Sequence, residues 1–203
     1  MPNALFSLGN FEELIILLDK SIPYIDVLMQ RKKGTPIPHF PLPEGFKYVF
    51  YKPGDEYAWA KIEMSVLEFD NEADALARFR RFADMPTEAE RRTVFIENEQ
   101  GEKIATSTAW WEYTGIRRDP WLHWVSVKPE YQGLGLGKAI ISHVTQMMAD
   151  IEGDRDFYLH TQTWSHKAIR LYEKIGWQIT AEKGLWKYAQ NPHDEAMAVL
   201  EKL

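Results

Sequence analysis

The chain has 203 residues, 45% of them hydrophobic and 27% charged, which excludes collagen-like and low-complexity chains and leaves one domain with some length over. With no cysteine it can carry no disulfide, thiolate nucleophile, Cys-type zinc site or iron–sulfur cluster. Its 24 basic and 30 acidic residues sum to −6 and provide no basic face for nucleic acid.

The arginines Arg78, Arg80, Arg81, Arg91 and Arg92 are set among acids and read as solvated helix faces. No stretch approaches the ~20 apolar residues of a membrane span. The start of the chain lacks the basic residues and cleavage site of a signal peptide. A soluble, cytoplasmic protein is expected, with no membrane or nucleic-acid partner.

In chain order, residues 1–45 read as an N-terminal extension. Phe11, Leu14, Ile15 and Leu18 recur at helical spacing behind Asn10 as a cap. Residues 24–30 lean to strand, and 34–43, with four prolines, to an extended linker. This extension can complete an acceptor pocket, add a strand to a sheet edge or form a homodimer contact. From Phe46 a regular alternation begins. A strand over 46–52 is followed by a helix capped by Asp55 and a second capped by Asn71, the latter with Ala75, Leu76, Phe79 and Phe82 on one face. A hairpin joins 93–97 to 104–113, and 121–127 is a strand bounded by Pro120 and Pro129. Helix 137–151, strand 157–163, helix 167–175 closed by Gly176, strands 177–180 and 185–188, and a terminal helix 194–203 complete the pattern. The fold class is α/β, a mixed, mostly antiparallel sheet with helices on both faces. The domain expected over 46–190 is followed by that terminal helix.

The most informative segment runs Val125-Ser126-Val127-Lys128-Pro129-Glu130-Tyr131-Gln132-Gly133-Leu134-Gly135-Leu136-Gly137-Lys138. A strand ends, and alternate glycines open a helix, so backbone N–H groups can meet an anion with no Cβ in the way. The spacing G-x-G-x-G is not the dinucleotide fingerprint G-x-G-x-x-G. It is also one residue short of a nucleotide-triphosphate loop, with Ala139 where a hydroxyl must hold magnesium.

Gln132-x-x-Gly135-x-Gly137 resembles the R/Q-x-x-G-x-G/A loop of the GNAT superfamily of acyl-CoA-dependent N-acyltransferases. Val125-x-Val127-x-Pro129 is similar to the end of the strand before that loop. Ser165-His166-Lys167-Ala168-Ile169-Arg170-Leu171-Tyr172-Glu173-Lys174-Ile175-Gly176-Trp177 resembles that family's second motif, N-x-x-A-x-x-L-Y-x-x-x-G-F, with Ser165 in place of the asparagine. The resemblance implies a GNAT fold and transfer of an acetyl group from acetyl-CoA to an amine by direct attack. It implies a pyrophosphate held by N–H groups of Gln132, Gly133, Leu134, Gly135, Leu136, Gly137 and Lys138. The acyl arm would lie beside Val125, Ser126 and Val127, with Ser165, Ala168 and Tyr172 facing it, and no metal is needed.

Tyr172 then falls where a tyrosine protonates the leaving thiolate. For the base, His123 comes first, because a period of two puts Trp121, His123, Val125 and Val127 on one face. His160, Glu112 or a water chain are its rivals. Glu63 and Glu68, on the helix pair that the resemblance makes part of the acceptor site, can attract an amine; the simpler reading is solvated-face carboxylates. The acceptor is a small-molecule or peptide amine. The alternative is an acyl-CoA-binding sensor that does no turnover.

Overall fold

The computed structural model describes residues 18–188 and 190–203. Seven strands form one sheet in the order β2-β3-β4-β5-β6-β1-β7. They are β1 (Asp26–Arg31), β2 (Lys47–Phe50), β3 (Thr93–Glu97), β4 (Lys103–Thr114), β5 (Arg117–Val127), β6 (Phe157–Gln162) and β7 (Gln178–Ile179). All pairings are antiparallel except β5 with β6. The helices are α1 (Glu56–Ser65), α2 (Glu72–Ala83), α3 (Pro86–Arg92), α4 (Leu136–Glu152), α5 (His166–Lys174) and α6 (His193–Leu200). The helix expected over residues 11–18 lies, but for Leu18, outside the described residues.

Apolar side chains from alternate positions of the strands feed a core on each face, and a third cluster gathers Leu28, Trp121 and Tyr158 with Leu185 and Tyr188. Val94, Ile96, Ile104 and Leu122 pack under Ile140, Val144 and Met148 of α4. Phe95 and Trp110 pack on the other face under Trp59 and Ile62 of α1 and Phe79 and Phe82 of α2. Asn71 caps α2 as expected, its side chain accepting from Asp74 N at 2.9 Å. Asp55 precedes α1 without a side-chain cap bond; its carboxylate receives Lys52 N and Lys103 Nζ instead, both at 3.0 Å.

Several expectations are corrected. The strand near residue 24 is present as β1, but it lies inside the sheet, paired with β6 along its whole length and with β7 on its other side. The proline-rich stretch is irregular, as expected, but it packs against the domain. Ser142 Oγ donates to Pro38 O, Phe40 and Leu42 join the α4 core, and a Cβ on Gly176 would come within 2.9 Å of Thr35 Cγ2. Pro120 lies within β5, opposite Trp111. Pairing with β6 starts only at Trp121, so at Pro120 one side of the backbone has no partner strand. Residues 185–188 form a turn closed by a single Leu185–Tyr188 bridge, and α3 was not anticipated.

The arginine cluster is not a solvated face throughout. Arg92 is 2% exposed and pairs with Glu152 at 2.8 Å and Glu88 at 2.5 Å. Among the described residues, no helix is long and apolar enough to cross a membrane.

Candidate active site

The site arises where two parallel strands part. β5 and β6 pair only at Trp121–Tyr158 and Leu122–Leu159. Beyond those residues β5 keeps β4 and β6 keeps β1, leaving two strand edges facing each other without a ladder. The cause on the β5 side is a bulge. Thr106 pairs with Ser126 and Thr108 with His123, so three steps of β5 answer two of β4, and Trp124 takes φ +53°. A bulge bends its strand and reverses the alternation of faces.

The expectation that Trp121, His123, Val125 and Val127 share one face therefore fails. Val125 and Val127 pack toward the α4 core. Trp124 joins the opposite core, and Ser126 reaches Glu63 of α1.

The gap opens into a cavity of about 610 Å³. His123, Val125 and Ser126 line it from β5, and His160 and Gln162 from β6. Ser165, Ala168 and Tyr172 enter from α5 and the turn before it, and Glu63 and Glu68 from the end of α1 and the loop after it. Val127 and residues 132–138 are not among its lining. They form the adjoining loop, which abuts α5 closely enough that a Cβ on Gly137 would stand 3.3 Å from Leu171 Cδ2.

In that loop Gly133 and Gly135 adopt φ +87° and +81°, left-handed values that favour glycine. Gly135 is the N-cap of the 17-residue α4, whose first turn carries no acidic side chain. The first backbone bond into the helix is Ala139 N to Gly135 O, at 3.1 Å. The N–H groups of Gly135, Leu136, Gly137 and Lys138 thus have no acceptor within the helix, and the helix dipole favours an anion there. Gln132 has a different part. Its N–H donates to Pro129 O at 3.2 Å and its side-chain Nε2 to Val127 O at 2.8 Å, so it braces the loop against the strand end.

The two histidines each stand beside a carboxylate. His123 Nε2 is 3.0 Å from Glu112 Oε1, close but not aligned as a hydrogen bond. The same Glu112 oxygen takes Arg81 Nη2 at 2.6 Å. Burial pulls the His123 pKa below 6.5, with the Glu112 contact opposing, so the ring is neutral at neutral pH. His160 Nε2 is 2.7 Å from Asp26 Oδ1 and stacks on Tyr188. That bond holds the Asp26 carboxyl below its usual range.

The Tyr172 hydroxyl is pushed well above its usual 10, chiefly by burial and then by the nearby acids Glu63 and Glu68. It is a phenol at any physiological pH and can donate a proton. Ser165 Oγ accepts from Gln162 Nε2 at 3.1 Å.

The sequence reading gave Glu63 as able to attract an amine but missed its burial. It is 0% exposed, not a solvated-face carboxylate, and its carboxyl is raised well above 4.5 by burial, with Glu68 adding to the shift. A signal existed, because Glu63 stands four residues after Trp59 and three before Val66, on the apolar stripe of α1. Asp26, on the strand assigned to the extension, was also missed. No group of three or more potential metal ligands occurs among the described residues.

Comparison with known proteins places this arrangement. Residues 56–177 match the Acetyltransferase (GNAT) family. A stretch of 73 residues, 36% of this chain, is 36% identical to thialysine N-epsilon-acetyltransferase of Sus scrofa and spans 42% of that relative. A GCN5-related N-acetyltransferase from Sphaerobacter thermophilus superposes with a TM-score of 0.60 at 20% identity, over 76% of this chain and 48% of that one. A GNAT-family acetyltransferase from Colwellia psychrerythraea gives 0.58 at 10% identity, over 78% and 55%. These two structural likenesses concern the fold. The family match covers more than half of the sequence and takes in the splayed strands, the glycine loop and the α5 tyrosine, and the chain belongs to the GNAT acetyltransferase family.

Proposed function

We propose that the protein is an acyl-CoA-dependent N-acyltransferase that moves the acetyl group of acetyl-CoA to an amine by direct attack. The observation that carries this reading is the parting of β5 and β6 next to the glycine loop, with Tyr172 lining the same cavity. Two facing strand edges without a ladder suit an extended, amide-bearing arm, since backbone polar groups need partners. The four unsatisfied N–H groups at the start of α4 suit its pyrophosphate. The residues present thus fit acetyl-CoA as a co-substrate. Gly135, Leu136, Gly137 and Lys138 would hold the phosphates, with Gly133 and Leu134 shaping the loop and Gln132 bracing it. Val125, Ser126 and Val127 would flank the acyl group, and Ser165 and Ala168 the arm. The thioester supplies the activated acyl carbon.

The chain's own groups handle the protons. Tyr172, held as a phenol by burial, gives its proton to the departing sulfur. His123, neutral and steadied by Glu112, accepts a proton from the attacking nitrogen. The acceptor is a small-molecule or peptide amine, and the relative's named substrate, thialysine, belongs in the first panel.

With no cysteine in the chain, there is no thiol to carry an acyl group. Two-substrate initial-rate kinetics test the route. Intersecting reciprocal plots are expected. Parallel plots, with a protein mass increased by one acetyl group, would refute direct attack.

A further inference from the structure

A carboxyl group taken fully out of water ordinarily has a donor or cation on each oxygen. Glu63 has half of that. Its Oε2 receives the Ser126 hydroxyl at 2.9 Å, while its buried Oε1 has no partner among the described residues. Glu63 lines the cavity, and no described Lys, Arg or His makes an ion pair with it or with Glu68. The cavity's own cations are engaged elsewhere. Arg81 is paired with Glu112, and His160 with Asp26. Arg78 lies over Trp124 and Lys187 over Trp186. Lys20, at the rim, donates to Leu67 O at 3.4 Å and only eases the raised carboxyl of Glu68. Glu68 itself is solvent-exposed and has one neutral donor, Gln162 Nε2, at 3.4 Å. Two carboxyls thus face one cavity, and the deeper one presents a bare oxygen beside the strand segment where the acyl group is assigned.

We infer that Oε1 of Glu63 is the docking and first deprotonation site for the acceptor, and that the acceptor is therefore a primary alkylammonium, drawn in by Glu68. This rests on the acyltransfer reading above. Ser126 holds Oε2 and leaves Oε1 for the incoming nitrogen. Docking of the ammonium displaces the Glu63 proton to solvent, and the resulting carboxylate takes one N–H proton and leaves a neutral amine. The nitrogen lone pair forms the C–N bond to the thioester carbon, and the second nitrogen proton goes to His123. The C–S bond breaks, its electron pair stays on sulfur, and the sulfur takes the Tyr172 proton. Solvent carries the His123 proton back to Tyr172, and Glu63 ends protonated as it began. The sum is ammonium and acetyl-CoA giving amide, CoA thiol and one proton.

The test uses the full chain. n-Butylammonium, titrated by chemical-shift perturbation into the CoA-bound protein, is expected to bind wild type, with Glu63→Gln losing that binding and n-butanol showing none. In turnover at pH 7, Glu63→Gln is expected to lose about 10²-fold in kcat/KM for n-butylamine, in the range of a lost proton acceptor. With methoxyamine, whose nitrogen is already neutral, the loss should be at least about tenfold smaller, since only the deprotonation is spared, and the affinity for acetyl-CoA should be kept. Equal loss with both amines would make Glu63 merely structural and overturn the inference, as would undiminished ammonium binding in Glu63→Gln. Should Glu63→Gln not fold, Glu68→Gln at the exposed rim decides. A KM for n-butylamine raised about fivefold at unchanged kcat is expected from one lost charge, and an unchanged KM refutes the ammonium assignment. Failure of wild type to bind acetyl-CoA would instead sink the acyltransfer reading, and the ammonium titration, run on the free protein, still judges Glu63.

Discussion

A chain that starts near Pro43 should not fold. The truncation removes β1, which bridges β6 and β7 in the middle of the sheet. Val27, Leu28 and Met29 are 1%, 1% and 0% exposed, and burying a side chain of this kind stabilises by about 1.5–3 kcal/mol. Together they contribute about 5–9 kcal/mol, before counting the ladders with β6 and β7 or the cover that Thr35, Pro38, Phe40 and Leu42 give the α4 and α5 side. A domain of this size has only about 5–15 kcal/mol of net stability. Urea unfolding followed by far-UV circular dichroism is the assay, with Leu28→Ala in the full chain as an internal scale, expected to cost about 2–5 kcal/mol. The truncated chain should show no cooperative transition. A transition at the full-length midpoint, with acetyl-CoA still bound, would refute the assignment of β1 as an integral strand.

Other outcomes follow from the same structure. Gly176 sits at φ +95° with Thr35 Cγ2 2.9 Å from where a Cβ would stand, so Gly176→Ala should cost about 1–3 kcal/mol in denaturant unfolding. Tyr172→Phe should lower kcat by about 10²-fold or more with acetyl-CoA affinity kept; and since burial raises this phenol, wild type should show no Tyr172-dependent loss of rate as pH climbs toward 10. Gly135→Val forces a β-branched residue to φ +81° in open space, and equilibrium binding should show weaker acetyl-CoA with little change in fold.

The buried Glu63 makes a pH prediction whose sign is fixed. The folded protein binds this proton more tightly than the unfolded chain, whose glutamate titrates near 4.5, so stability from this group falls as pH rises. Relative to Glu63→Gln, wild type should lose up to about 1.4 kcal/mol per pH unit above that value until Glu63 ionises in the fold. A pH-independent difference between the two would contradict the burial argument.

Much of this was readable in the residues, and the exceptions have physical causes. The apolar run before the Glu99-Gln100-Gly101 turn located β3, buried on both faces, at the observed bounds, and the 3.6-residue period located α4 and α5 within a residue, because each of those helices buries one clear face. The two motifs located the loop and Tyr172. The bulge at Trp124 had no local marker, since neither glycine nor proline stands there, so the faces of Val125 and Val127 were assigned by an alternation that the chain breaks. The place of β1 depends on partners some 130 residues away at Phe157–Gln162, which no local pattern encodes. Proline at the first position of α3, after Met85, is a helix-start signal, but seven residues are too few for a periodic stripe. Glu63 and Arg92 look solvated in sequence because charge dominates their reading; Ser126 in one case and Glu88 and Glu152 in the other make their burial tolerable.

The central claim is acyl transfer from CoA to an amine, and free-thiol release measures it directly. With no cysteine in the chain, every thiol that appears is CoA. Wild type should release thiol from acetyl-CoA in proportion to amide formed, with thialysine, n-butylamine and short peptides as acceptors and Tyr172→Phe run alongside. Acceptor-dependent release that weakens in Tyr172→Phe is the predicted result. Tight acetyl-CoA binding with no acceptor-dependent release across the panel would contradict the account and leave a protein that binds the acyl donor without using it.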